Sequence, residues 1–180
     1  MAGALGLALN QELRGRGLKP RLHFQKATFI PTWASGPELT QFVVDENPDL
    51  VLISLGANEL QVKDTQRLAS RIEKLVAKFN GRACVWVAPP KPQREHNDLL
   101  EVIRAHCAPC VYLDTTQLYP DMPLLKDRVH PTMPARVEWA KRVADWLERA
   151  YQGPSVRPWV WRSPLPPPET VARQSSQASP

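Results

Sequence analysis

The residues best equipped for chemistry are an aspartate and a histidine three positions apart, Asp127-Arg128-Val129-His130. A carboxylate beside an imidazole fixes its tautomer and stabilises the imidazolium, so the histidine can act as general base and then general acid. Alone, that spacing is ordinary loop sequence. A second group gives it meaning, Leu55-Gly56-Ala57-Asn58-Glu59. Here a side-chain amide can donate to a developing oxyanion, and the glycine lets the backbone turn tightly to bring it into reach. Without such a partner Asn58 would be a cap or turn residue. Glu59 reads as shaping the loop, and His23, His96 and His106 read as surface or packing residues.

A nucleophile is harder to find. Ser54 lies inside an apolar run and Ser35 looks like a helix cap, so neither is placed to reach the base. Three cysteines make no disulfide framework. Cys84 reads as a small buried hydrophobe. Cys107-Ala-Pro-Cys110 resembles a thioredoxin-type pair, but it follows a helical stretch and precedes a strand, the reverse of the context that lowers a thiol pKa. It reads as a structural pair, or as a disulfide if the protein is exported. No metal set, cofactor motif or Gly-rich phosphate loop is present, which weakens a nucleotide-binding reading.

The elements that must position these residues alternate regularly. A helix is expected over residues 2–15, with Leu5, Leu9 and Leu13 on one face. Residues 21–29 read as strand and loop. Ser35-Gly36-Pro37-Glu38 reads as a capping box opening a helix that buries Leu39, Phe42 and Val43. Continuous apolar runs at 50–55 and 83–88 predict strands covered on both faces. Between them lies a helix capped by Asp64 and carrying Leu68, Ile72, Leu75, Val76 and Phe79. A looser helix over 95–106, a strand over 110–114 and a last helix from Pro134 follow, the last burying Val137, Ala140, Ala144, Leu147 and Tyr151. The alternation predicts a three-layer α/β/α domain with a flavodoxin-like parallel sheet over 1–152. The Pro-, Ser- and Gln-rich stretch 153–180 reads as a disordered tail, apart from Trp159 and Trp161, which could pin its start.

Composition excludes little beyond this. The 180 residues carry a net charge of +5, scattered rather than clustered, so no nucleic-acid partner is expected. No apolar run approaches the ~18 residues of a membrane span. The first residues make a poor signal peptide, so the chain as it stands reads as cytoplasmic, or as extracytoplasmic if a signal precedes it.

In open α/β sheets, sites form at the carboxyl ends of the strands. The Gly56-Ala-Asn58-Glu59 block, Pro89-Pro90, Asp114 and the Asp127/His130 loop all fall there. Over residues 1–150, Gly56-x-Asn58-Glu59 after a strand and Asp127-x-x-His130-Pro131-Thr132 before the last helix resemble conserved blocks of the SGNH/GDSL-type serine ester hydrolases, including a bacterial branch with a strand ending in Pro-Pro. The resemblance implies His130 as base, Asp127 as its orienting acid, and Asn58 with the Gly56 turn in the oxyanion hole. A backbone N–H from Ala27, or else Gly36, would be a further donor. It implies a small-molecule or carbohydrate ester as substrate, no cofactor and no metal. It also implies a Gly-Asp-Ser nucleophile turn directly before Met1, because Gly3, Leu5, Gly6 and Leu7 resemble the helix that follows it. The serine and the first strand are then expected to be missing from this chain. The other reading is a non-catalytic binding domain of the same fold.

Overall fold

A computed structural model of the chain describes residues 2–92, 97–153 and 158–168. Three parallel strands, β1 (Leu50–Ile53), β2 (Ala83–Val87) and β3 (Val111–Leu113), stand in the order β1-β2-β3. Around them run α1 (Ala2–Gly15), α2 (Ile30–Ser35), α3 (Glu38–Glu46), α4 (Ala69–Ala77), α5 (Leu99–His106), α6 (Thr115–Leu118) and α7 (Met133–Ala150). Each parallel pair is joined through helix, as parallel strands require.

Side-chain alternation along the central strand builds two cores. Cys84, Trp86 and Ala88 face the layer of α2, α4 and α5, whereas Val85 and Val87 face α1 and α7. All five are buried, with Trp86 fully so. The α1 stripe of Leu5, Leu9 and Leu13 packs as expected against α7, and Arg16 ties the two helices by pairing with Glu12, Asp145 and Glu148. Leu68, Ile72, Leu75, Val76 and Phe79 are all buried, and the turn that ends this segment takes left-handed backbone at Asn80 and Gly81.

Several expectations are corrected. Residues 21–29 form no strand; they run as irregular chain beside α1, with Leu22 and Phe24 against Gly6 and Gly3. β1 therefore pairs only with β2 among the described residues. Its Leu50, Val51 and Leu52 are half-buried rather than fully covered. Ser35 ends α2, a helix not foreseen, and α3 opens after Pro37 without a side-chain cap. Asp64 caps nothing; Thr65 bonds Asp98 instead. Val137 is 61% exposed, because the buried face of α7 is centred on Trp139, Val143 and Trp146.

Cys84 and Cys110 form a disulfide, which leaves Cys107 as a buried thiol. The pairing follows from strand register: Val85 lies opposite Val111, so the residue before each is brought across from the other. Burial pushes the Cys107 thiol up to about 11, so it is inert as a nucleophile.

The two tail tryptophans do pin the chain. Trp161 packs on Trp146, Trp159 stacks on Tyr151, and Trp146 Nε1 donates to Pro166 O at 2.9 Å. Residues 169–180 lie outside the described residues, as does His96. No described helix is long and apolar enough to cross a membrane.

Candidate functional site

The segment after α6 folds back on itself before α7. Leu124 bridges Pro131, Leu125 N–H donates to His130 O at 2.7 Å, and Thr132 N–H donates to Pro123 O at 3.0 Å. Thr132 then caps α7, its hydroxyl accepting from Ala135 N–H. At the tip, Arg128 takes left-handed backbone, φ 57°. That turn lets one oxygen of Asp127 accept two main-chain N–H groups, from Val129 and His130, both at 2.9 Å. The other oxygen lies 2.7 Å from His130 Nδ1.

The result is a fixed acid–imidazole pair. A carboxylate only accepts, so Nδ1 carries a proton, and in the neutral imidazole Nε2 keeps a free lone pair. The backbone N–H of His130, then that of Val129, then the ring hold the Asp127 carboxyl down to about 2. It stays ionised wherever a neutral imidazole could act as base. Both side chains are nearly half exposed, so Nε2 is open to a reactant.

Gly56 ends the chain's passage out of β1 at φ 112°, and a Cβ there would stand 3.0 Å from Ile103 Cδ1. Only glycine fits without displacing the core. Its carbonyl accepts from Glu59 N–H at 3.1 Å, closing a turn that presents Asn58 to solvent. Asn58 Nδ2 donates to Thr28 O at 2.7 Å. An amide nitrogen has two hydrogens, so one remains for a ligand. The same contact sets Asn58 beside Ala27, which has φ 53° and an N–H with no partner among the described residues. Gly36 differs: its N–H donates to Thr32 O at 3.0 Å as the end of α2.

Two residues hold this turn: Glu59, expected to shape the loop, and Asn97, which was not foreseen. Glu59 is 1% exposed and accepts from Ile30 N–H, so residues 58 and 59 together clip the 28–30 segment onto the end of β1. Burial raises its carboxyl above the ordinary range, with the Ile30 N–H opposing. Asn97 Nδ2 donates to Glu59 O at 2.6 Å and Val62 O at 2.8 Å, which locks the loop from behind. Sequence gave no signal for Asn97, since its partners are main-chain carbonyls distant along the chain.

A cleft of about 190 Å³ opens at the carboxyl ends of β2 and β3, lined among others by Pro90, Lys91, Thr116, Tyr119, Met122 and Leu124. Leu124 belongs to the folded-back segment that bears the pair, although neither Asp127 nor His130 lines the cleft itself. No hydrogen bond joins His130 to Asn58 among the described residues; they are contributed separately, from the loop before α7 and the loop after β1. Ser54 follows β1 with its hydroxyl buried and unpartnered, and Ser35 sits in α2. Neither is bonded to His130. His23 packs on Trp33 and Phe42, and His106 pairs with Glu73. No protein-family model matches the chain, and no curated protein matches it.

Proposed function

We propose that this chain carries the base, orienting acid and oxyanion donors of an SGNH/GDSL-type serine ester hydrolase. The observation that carries the reading is the Asp127–His130 pair, with Nδ1 held at 2.7 Å and Nε2 left free. Asn58 supports it, its amide bonded to the carbonyl of Thr28, the residue after Ala27, whose N–H has no partner among the described residues. Such an enzyme needs a serine nucleophile, which the resemblance would put at the end of a strand leading into α1. In the reaction, His130 Nε2 takes the serine proton as its oxygen attacks the ester carbonyl. Asn58 and the Ala27 N–H receive the oxyanion, and the protonated His130 then gives its proton to the departing alcohol. Water hydrolyses the acyl-enzyme by the same route. The substrate is a small ester, with an O-acetyl group of a carbohydrate as one form.

The absence, among the described residues, of any serine bonded to His130 favours one second reading, a binding domain that holds such esters without cleaving them. One experiment separates the two. The chain itself should hydrolyse activated acetyl esters no faster than buffer. A version extended by an apolar strand ending in Gly-Asp-Ser should turn them over, and His130→Ala in that version should remove several orders of magnitude. A folded, extended chain with no activity on any short acyl ester refutes the hydrolase and leaves the binding domain.

A further inference from the structure

A larger cavity, about 340 Å³, lies between the start of α2 and the start of α4, lined by Pro31, Glu59, Val62, Arg67, Leu68 and Arg71. We infer that it binds a small oxyanion carrying a hydrogen-bond donor one or two atoms away, the chemistry of an amino or hydroxy acid.

Three charged groups carry the inference. Arg67 and Arg71 are one helical turn apart on a continuous 3-10-to-α segment, which sets them on the same side. Neither guanidinium has an ion-pair or hydrogen-bond partner among the described residues, and both border the cavity. The third group, Glu59, is 1% exposed; one oxygen accepts the Ile30 N–H, while Oε2 is buried with no partner. Buried carboxylate oxygens are ordinarily satisfied, so an orphan one lining a cavity marks a place for a donor from outside.

The combination selects the ligand. Two forked cations call for a carboxylate or phosphate. A bare anion would leave Oε2 without a donor, whereas an ammonium or hydroxyl beside the anion would supply one. An apolar compound would leave all three charges unsatisfied. The volume lies at the lower end of small-molecule pockets and accommodates a molecule of amino-acid size. This inference stands apart from the hydrolase reading, and its test does not measure ester cleavage.

The full chain is titrated with L-alanine, lactate and propionate, following the amide resonances of Glu59, Val62 and Leu68. Alanine and lactate should bind about tenfold or more tightly than propionate, the worth of one hydrogen bond to a charged group. Arg71→Gln should weaken all binding, and Glu59→Gln should abolish the preference over propionate. If Glu59→Gln fails to fold, Arg67→Gln takes its place and should weaken binding as Arg71→Gln does. Propionate binding as tightly as alanine overturns the inference. So does binding unchanged in the arginine variants, as an Arg71–Glu59 pair closing the cavity would give. Absence of shifts with all three probes at tens of millimolar overturns it as well.

Discussion

Asn97→Ala should loosen the loop that carries Asn58 and cost a measurable part of the fold's stability. Its side chain makes three hydrogen bonds, from Nδ2 to Glu59 O at 2.6 Å and Val62 O at 2.8 Å, and to Oδ1 from Leu99 N–H at 3.1 Å. Each is worth roughly 0.5–1.5 kcal/mol net, so all three sum to about 1.5–4.5 kcal/mol. Because the site is half-buried, water replaces part of the loss, which places the expected cost at about 2–3 kcal/mol. At about 2–4 °C per kcal/mol for a domain of this size, Tm should fall by roughly 5–10 °C. Urea unfolding of the two proteins measures the difference directly. Asn97→Asp supplies the control. It keeps an acceptor for Leu99 N–H but turns a carboxylate toward two carbonyls, so it should be at least as harmful as alanine. A loss under about 0.5 kcal/mol for Asn97→Ala, the level of an ordinary surface change, would refute the clamp. So would an aspartate milder than the alanine.

Three further outcomes follow from the same contacts. The depressed Asp127 carboxyl favours the folded turn above the usual carboxylate range, and that contribution disappears as pH falls toward about 2. Protonation of Asp127 should therefore appear in the Val129 and His130 amide resonances as a step that begins only below about pH 3. Reducing the Cys84–Cys110 disulfide, which closes 26 residues of chain, should cost about 3.5 kcal/mol in the chain-entropy account, read by thermal unfolding with and without reductant. Ending the chain at Gly153 uncovers Trp146, now 2% exposed, and should cost about 2–3 kcal/mol of stability in a urea titration while leaving the Asp127–His130 contact in place.

Long periodic segments were the most legible. The stripe of α1, the face of α4 and the runs that became β2 and β3 all announce themselves, because burial on one or both sides imposes a period. Where a helix is apolar over a wide arc, the period loses its power. In α7 the tryptophans at 139 and 146 outweigh Val137, since a large aromatic buries far more surface. The disulfide was hidden for another reason. Cys84 and Cys110 look unrelated until the β2–β3 register sets them opposite each other. Asp127 and His130 were visible because their contact spans a single turn, whereas Asn97 and the cavity-side role of Glu59 depend on chain segments meeting from far apart. The strand expected within 21–29 did not form: Leu22 and Phe24 pack on Gly6 and Gly3 of α1 instead of lining up beside β1.

The most direct test of the central claim is covalent. The chain extended by a strand ending in Gly-Asp-Ser is treated with a fluorophosphonate, and the adduct is located by mass spectrometry of its peptides. A serine activated by His130 should be labelled stoichiometrically and alone, with labelling nearly abolished by His130→Ala. Labelling that is absent, or that persists undiminished in His130→Ala, would contradict the assignment of His130 as the base.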